Sequence, residues 1–137
     1  MRDDGHMIRG INHITLAVSD LDVSVRYYEE VLGFRLASRY DGGAYLEAGS
    51  DWLCLSLDKA AADQPRSDYT HIAFDVSEED FDAFAESLRA ANVPIWKQNR
   101  SEGQSIYFLD PDGHKLEVHV GSLQSRMAAI QRGSRKA

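Results

Sequence analysis

An internal repeat constrains the fold of this chain more than any other feature. Residues 13–19 read HITLAVS and residues 71–77 read HIAFDVS, so both follow the pattern H-I-x-x-x-V-S. Two equivalent segments in one chain indicate that one structural unit occurs twice. Apolar residues alternate in both copies, which is typical of a half-buried strand.

Each repeated strand precedes a predicted helix and three further predicted strands. The first helix starts at the capping pair of residues 19–20 and ends before Gly33, while the second helix follows Ser77. Turn sequences at residues 41–43 and 110–113 separate the strand candidates. Each half is therefore predicted as βαβββ. We expect an α+β fold whose paired modules form a cup-shaped mixed sheet.

The length of 137 residues matches a single domain, which we place at residues 7–126. Module one covers residues 7–57 and module two covers residues 69–121. Residues 1–6 are interpreted as an extension that takes no part in the fold. Residues 127–137 are placed in a C-terminal tail, and the stretch from Ser122 to Ala137 is predicted as a short terminal helix followed by basic disorder.

Composition argues against several classes of partner. A net charge of -7 and a pI near 5.1 disfavour nucleic-acid binding, which needs a basic face. No apolar run approaches the roughly 18 residues of a membrane span, and the polar amino terminus lacks a signal-like apolar segment. We therefore expect a cytoplasmic protein. The single cysteine, Cys54, lies in an apolar strand-like run, which predicts a buried thiol.

Three predicted strands offer polar side chains on one face. Strand alternation places His13 beside Thr15, and His71 occupies the equivalent point of the second module. Glu117 lies on the last strand. Two histidines and one carboxylate leave coordination positions open and suit Mn, Fe, Zn or a similar divalent ion. The sequence therefore predicts a metal site of His13, His71 and Glu117.

Two further histidines require a separate interpretation. His119 is an alternative ligand and His114 lies in a predicted turn, but hydrogen bonding in the core or at the rim is the favoured role for both. A lone histidine on a strand is more often a hydrogen-bonded residue than a ligand. The position of module one that matches Glu117 is about Cys54, so the predicted site is not a symmetric duplicate.

Five segments strongly resemble the fosfomycin resistance glutathione transferases of the FosA type, a branch of the vicinal oxygen chelate (glyoxalase–bleomycin resistance) superfamily. They are NHITLAV at 12–18, WLCL at 52–55, DYTH at 68–71, WKQNRSEG at 96–103 and SIYFLDPDGH at 105–114. The resemblance covers nearly the whole chain from residue 7 to about residue 126. HITLAV and DPDGH are widespread in the superfamily, whereas the loop WKQNRSEG followed by S-x-Y-F-L-D is specific.

The resemblance implies an enzyme that adds glutathione to the epoxide of fosfomycin, with Mn(II) or another divalent ion such as Zn, Ni or Co, and K⁺. Implied substrate-binding residues are Lys97, Ser101, Ser105, Tyr107, Arg126, Trp52 and Tyr69. Implied catalytic residues are Thr15, Lys97 and Arg126. The potassium ion is implied near Asn99, Ser101, Gly103 and Ser105, and the thiol near Tyr45, Ser56 and Arg100.

The chemistry of this loop suits an anionic phosphonate. Lys97 and Arg100 supply positive charge, serines supply hydroxyls and Gly103 permits a tight backbone path. A solvated polar loop is the other interpretation of the same residues. The sequence departs from the family at Tyr40 and Gly42, where better known members carry Trp and Gln, so a thiol other than glutathione stays an alternative.

The resemblance also implies the vicinal oxygen chelate fold in a domain-swapped homodimer with shared active sites, in which the paired modules come from different chains. In this dimer His13 comes from one subunit, whereas His71 and Glu117 come from the other.

Three rival functions remain. The first is epoxide hydrolysis with a glutamate base, as in a related branch of the family. We place Glu47 on the face opposite Tyr45, and the loop lacks the longer form found in that branch, so both features disfavour hydrolysis. The second is a metal-free protein of the same fold that sequesters a drug, which predicts no metal ligands. The third is glyoxalase or dioxygenase chemistry, which needs a different ligand set and leaves the basic serine loop unexplained.

Overall fold

The computed structural model describes residues 7–63 and 66–136. The predicted extension at residues 1–6 lies outside the described residues. The chain divides into two compact units with a boundary after Ala62. Each unit contains one copy of the repeated segment.

The first unit is a four-stranded mixed sheet with one helix. Its elements are β1 (Ile14–Val18), α1 (Leu21–Arg26), a π-helical segment (Tyr27–Val31), β2 (Arg35–Tyr40), β3 (Gly43–Ala48) and β4 (Asp51–Leu57). The strand order is β1-β4-β3-β2, with β1 parallel to β4 and the other pairs antiparallel. A 3₁₀ helix at Lys59–Asp63 follows. The apolar core includes Leu16, Val18, Val25, Tyr28, Leu46, Leu53 and Leu55.

The first helix changes its hydrogen-bonding pattern part-way. The Asp20 side chain caps its start by accepting a hydrogen bond from the Val23 amide at 3.1 Å. From Tyr27 onward the helix is π-helical, so the single helix predicted from the sequence is an α-helix joined to a π segment. Gly33, at φ 76°, ends it in the left-handed region that glycine adopts without strain.

The second unit repeats this architecture and adds a C-terminal helix. Its elements are β5 (Ile72–Asp75), α2 (Glu78–Ala90), β6 (Ile95–Lys97), β7 (Ser105–Leu109), β8 (Lys115–His119) and α3 (Leu123–Lys136). The strand order is β5-β8-β7-β6, with β5 parallel to β8. The Ser77 hydroxyl caps α2 by accepting from the Asp80 amide at 3.2 Å. Buried apolar residues are Phe81, Leu88, Phe108, Leu116 and Val118.

The C-terminal segment is more helical than predicted. α3 continues to Lys136, where the sequence analysis expected disorder after a short helix. Ser122 and Ser125 cap its start reciprocally, because each hydroxyl accepts a hydrogen bond from the other residue's amide, at 3.1 and 2.9 Å. Most residues that follow favour helix. No helix among the described residues is both long and apolar enough to cross a membrane.

The strand registers confirm the predicted repeat. Both units have the order βαβββ, and together they give an α+β fold with two four-stranded mixed sheets. Thr15 pairs with Cys54 in the first sheet, and Ala73 pairs with Glu117 in the second. Thr15 and Ala73 each lie two residues after a repeated histidine. Cys54 is therefore the counterpart of Glu117, as the sequence analysis expected.

Candidate active site

One row of side chains crosses all four strands of the second sheet. Ala73 pairs with Glu117, Glu117 pairs with Tyr107, and Tyr107 pairs with Lys97. Paired residues in a sheet point to the same face, so the row lies opposite Leu116 and its apolar neighbours. The sheet thereby gathers a carboxylate, a phenol and an ammonium on one surface.

His71 faces Glu117 immediately before β5. Its Nε2 lies 3.0 Å from Glu117 Oε1, and its Nδ1 lies 2.8 Å from the carbonyl oxygen of Tyr69. A carbonyl can only accept, so Nδ1 carries the ring proton and donates it. In the neutral ring, Nε2 then presents a lone pair to a carboxylate that is only 4% exposed. This contact is satisfied by a cation, either a proton or a metal ion, between the two atoms.

Three aromatic rings surround the His71 imidazole. Their centroids lie 4.8 Å (Tyr69), 5.5 Å (Trp96) and 5.9 Å (Tyr107) from that of His71. The Trp96 indole is itself held in place, because its Nε1 donates to the Leu116 carbonyl at 3.0 Å. Rings of this kind restrict water and strengthen the interaction of a histidine with a bound ion.

Lys97 places a cation beside this pair. Its ammonium donates to the Tyr69 hydroxyl and lies 4.8 Å from the centroid of the Tyr107 ring, which is buried. The hydrogen bond with Tyr69 raises the pKa of Lys97 above its ordinary value, and the negative charge of Glu117 acts in the same direction. Lys97 therefore remains an ammonium at neutral pH and can bind an anion.

The loop between β6 and β7 is organised by its own polar groups. Asn99 donates from Nδ2 to the Gly103 carbonyl at 2.9 Å, and its Oδ1 accepts from the Ser101 amide at 3.0 Å and hydroxyl at 2.9 Å. The structure thus brings three of the predicted potassium-binding residues together. The fourth, Ser105, directs its hydroxyl to Glu117 instead, at 2.6 Å. Arg100 is exposed.

The site residues predicted in module one share a face of the first sheet. Thr15, Cys54 and Tyr45 align in register across β1, β4 and β3. The Trp52 ring stacks on His13 with a centroid distance of 4.1 Å and an interplanar angle of 15°. His13 Nδ1 lies 2.7 Å from the Asn12 amide oxygen, which leaves Nε2 unprotonated in the neutral ring. Ser56 lies two residues after the buried Cys54 on the same strand.

Tyr40 lies next to this row and packs over a glycine. Its hydroxyl is 3.7 Å from Cys54 Sγ, and a Cβ on Gly43 would approach its ring to 2.3 Å. Hydrogen bonding to Cys54, and then to Tyr45, raises the pKa of Tyr40 to about 12. The phenol therefore stays protonated at neutral pH and is available as a hydrogen-bond donor.

The prediction that Glu47 lies on the strand face opposite Tyr45 is wrong. The structure places Glu47 on the same face as Tyr45, since residues two apart in a strand point the same way, and both line a groove of 420 Å³ with Trp52. Arg35 Nη2 donates to both carboxylate oxygens of Glu47, at 2.8 and 3.1 Å. The carboxylate is therefore already paired with a cation.

The candidate metal ligands are divided between the two units. His71 and Glu117 are in contact within the second unit, whereas His13 belongs to the first. Across residues 7–63 and 66–136, no three His, Cys, Asp or Glu side chains form a group that could hold a metal ion. The structure alone thus places two of the three predicted ligands together.

Comparison with known proteins defines the family. The model of the Glyoxalase/Bleomycin resistance protein/Dioxygenase superfamily matches residues 10–118. The chain belongs to this superfamily. Within it, the chain is 58% identical over 127 residues to the glutathione transferase FosA of Serratia marcescens, covering 91% of this chain and 90% of that protein. It is 41% identical to the metallothiol transferase FosB of Lysinibacillus sphaericus, covering 88% of each.

A solved structure of the same superfamily adds a bound ion. It is a variant of the fosfomycin resistance protein FosX from Listeria monocytogenes, complexed with Mn(II) and 1S,2S-dihydroxypropylphosphonic acid. The TM-score is 0.80 at 30% sequence identity, covering 90% of this chain and 99% of that one.

The donor atoms of this superfamily member fit a divalent ion. Two ligands bound at about 2.1 Å and at right angles to each other are about 3.0 Å apart. His71 Nε2 and Glu117 Oε1 have this separation. Both repeated histidines direct Nδ1 to an oxygen acceptor, as metal-binding histidines commonly do. The separation and chemistry of the His71 and Glu117 donors therefore suit a divalent ion.

Hydrogen bonding is the role predicted for His119, but the line of contacts that it forms behind Glu117 was not predicted. The Ser105 hydroxyl also contacts His119 Nδ1 at 2.5 Å, and Arg126 Nη2 lies 3.3 Å from His119 Nε2. Glu102 Oε1 is 3.7 Å from Arg126 Nε. Ser105 and His119 are paired across β7 and β8, so the strand register is the signal that brings them together.

Substituting Gly103 with alanine is expected to destabilise the loop that contains the predicted potassium ligands. Gly103 adopts φ 76°, and a Cβ there would lie 2.3 Å from the Val120 carbonyl oxygen. We expect a loss of about 1–3 kcal/mol in the free energy of unfolding, or roughly 4–12 °C in Tm by calorimetry. The matched control is Gly133→Ala in α3, where a Cβ meets nothing within 4 Å. An unchanged Tm for Gly103→Ala would contradict this account.

Proposed function

We propose that this chain is a Mn(II)-dependent transferase that adds glutathione to the epoxide of fosfomycin and so inactivates the antibiotic. The observation that carries the proposal is that Lys97 lies on the same row of the second sheet as Glu117, which contacts His71. A cation for a phosphonate next to ligands for a divalent ion matches the chemistry of this substrate. The identity of 58% to a glutathione transferase supports the same assignment.

The proposed ligands are His13, His71 and Glu117. A divalent ion bound there would supply Lewis-acid stabilisation of the negative charge that develops on the epoxide oxygen. Lys97 would bind the phosphonate and fix the epoxide for attack, because its ammonium is anchored on Tyr69 and Tyr107. The aromatic rings around His71 would exclude water from the reacting atoms.

Further groups have proposed roles in substrate binding and proton transfer. Thr15 is exposed on the strand face next to His13, where its hydroxyl can bond the reacting oxygen or the thiol. The Arg126 side chain is 45% exposed and would supply a second cation for the phosphonate. The proposed anion-binding hydroxyl comes from Ser101, and the proposed aromatic contacts come from Tyr107, Trp52 and Tyr69. Ser105, which the resemblance also assigns to the phosphonate, donates its hydroxyl proton to Glu117 in the substrate-free protein.

The proposed thiol subsite lies on the first sheet. Tyr45 is 38% exposed and, with Ser56, presents hydroxyl groups on the face of Cys54. Arg100 is exposed and suits a carboxylate of glutathione. The oxygens of Asn99, Ser101 and Gly103, with those of Ser105, form the proposed potassium site.

We further propose a cytoplasmic homodimer with shared active sites. In it, His13 of one subunit would complete the His71–Glu117 pair of the other. Each chain would be one domain at residues 7–126, with modules at 7–57 and 69–121.

Hydrolysis of the epoxide is the second candidate function, because FosX is a structural relative. Glu47 lies on the site face and is the carboxylate that such a reaction could use as a base. Its two hydrogen bonds from Arg35 stabilise the ionised form and make it a weak base. This pairing favours thiol transfer over hydrolysis.

A product assay by mass spectrometry tests the proposal. Purified protein with Mn(II) and K⁺ is incubated with fosfomycin and, in separate reactions, glutathione, cysteine or no thiol. We expect an adduct with glutathione, whose mass is the sum of the two substrates. A diol without thiol would move the protein to the hydrolase branch, a product with cysteine alone would identify another thiol, and no product in any reaction would contradict the proposed function.

A further inference from the structure

A continuous chain of polar contacts leads from α3 to the carboxylate of Glu117. It consists of Arg126, His119, Ser105 and Glu117, and it is called the polar chain below. Its three contacts are 3.3, 2.5 and 2.6 Å long. We infer that His119 is a positioning residue that fixes the orientation of the Glu117 carboxylate through Ser105. This inference rests on the proposed role of Glu117 as a metal ligand.

The direction of every hydrogen bond in the polar chain follows from the chemistry of its ends. An ionised carboxylate only accepts, so the single Ser105 hydroxyl proton goes to Glu117 Oε2. Ser105 Oγ must then accept from His119, which places the ring proton on Nδ1. Nε2 is left with a lone pair and accepts from Arg126, which can only donate. The Glu102 carboxylate also lies 3.4 Å from Nε2, and in this tautomer it pairs with the Arg126 guanidinium instead of the ring. One tautomer of His119 satisfies all four groups.

The polar chain leaves one carboxylate oxygen for the metal ion. The terminal torsion of a glutamate is soft, so the carboxylate plane needs an external constraint. Ser105 holds Oε2, and Oε1 is thereby directed towards His71 Nε2 at 3.0 Å. Outer-shell hydrogen bonds of this kind orient metal ligands and raise the affinity of the site.

The surroundings of His119 fit a ring that is held in one position. A Cβ on Gly121 would lie 2.8 Å from Nε2, and a Cβ on Gly103 would lie 3.1 Å from Cε1, so two glycines leave room for the ring. Glu102 Oε1 lies 3.4 Å from His119 Nε2 and 3.7 Å from Arg126 Nε. The carboxylate therefore keeps the guanidinium next to the imidazole. The His119 side chain is only 12% exposed.

Two substitutions of His119 separate positioning from simple packing. In His119→Asn, the amide nitrogen can take the place of Nδ1 and still donate to Ser105. In His119→Gln, the amide reaches the place of Nε2 and leaves Ser105 without a donor. Both variants remove the imidazole ring, so a role in packing alone would be affected alike in the two.

The measured quantity is the Kd of Mn(II) for the substrate-free dimer, from the electron paramagnetic resonance signal of free aqueous Mn(II). We expect His119→Gln and Ser105→Ala each to raise this Kd about tenfold or more, with one ion still bound per site. His119→Asn should restore most of the affinity. The double variant His119→Gln/Ser105→Ala should bind Mn(II) no more weakly than Ser105→Ala alone, because the loss of Ser105 already interrupts the polar chain.

Other results of the Mn(II) titrations would contradict either the positioning role of His119 or the proposed metal site. Equal Kd values for His119→Gln and wild type, or equal losses in the Asn and Gln variants, would overturn the positioning role. Loss of one bound ion per site would make His119 a ligand instead. A wild-type protein that binds no Mn(II) would overturn the proposed metal site, and the polar chain's role with it. His114→Asn, in the turn before β8, is the control for substitution of a histidine.

Discussion

Replacing His71 with alanine is expected to remove the metal ion and the transferase activity together. His71 is one of the two proposed ligands that the structure brings into contact, and in the neutral ring its Nε2 lone pair faces Glu117 Oε1. The Lewis-acid contribution of a metal ion is several kcal/mol, so kcat/KM should fall roughly a thousandfold or more. Inductively coupled plasma mass spectrometry after dialysis measures the loss of metal. The initial rate of adduct formation measures the loss of activity.

Control variants distinguish metal ligands from neighbouring residues by whether the protein keeps its metal ion. Glu117→Gln should lose the ion as His71→Ala does, because the amide keeps the shape of the carboxylate but not its charge. His119→Ala should keep one ion per site at saturating Mn(II). EDTA should abolish wild-type activity and Mn(II) should restore it best. Metal retained by His71→Ala but lost by His119→Ala would show that the sequence analysis chose the wrong histidine.

The repeat made much of the fold predictable. Two copies of H-I-x-x-x-V-S, each followed by a capped helix and turn-separated strands, require the order βαβββ twice, and the structure has it. The correspondence of Cys54 with Glu117 also followed from counting along the strands. Apolar periodicity and turn chemistry are local signals, so a single sequence reveals them.

The contacts behind Glu117 could not be predicted in the same way. The link from Ser105 to His119 depends on how β7 and β8 are registered, and a shift of one residue would reverse every side chain. The approach of Arg126 depends on where α3 begins, which is set by the reciprocal cap of two serines. Glu47 shows that strand counting must be applied strictly, since residues two apart share a face.

Replacing Lys97 with methionine is expected to weaken fosfomycin binding without removing the metal ion. Methionine roughly keeps the length of the side chain and loses its charge, so the proposed contact between the ammonium and the phosphonate would be lost. A hydrogen bond to a charged group contributes about 1.5–3 kcal/mol, which predicts a fall in kcat/KM of roughly 10- to 150-fold, mainly through KM. Saturation curves for fosfomycin at fixed glutathione measure the effect, and unchanged curves would exclude Lys97 from phosphonate binding.

The pH dependence of binding provides an independent check on Lys97. Hydrogen bonding with Tyr69 raises its pKa above the ordinary value of 10.5, so the folded protein holds this proton more tightly than the unfolded chain does. The stabilising contact is therefore complete below pH 10.5 and is lost as pH rises through the raised pKa. Between pH 7 and 10, KM for fosfomycin should show no rise that depends on Lys97. The contrary result is a KM that rises between pH 7 and 10 in the wild type but not in Lys97→Met. It would mean that the Lys97 ammonium loses its proton below pH 10, and that the contact with Tyr69 does not hold that proton in solution.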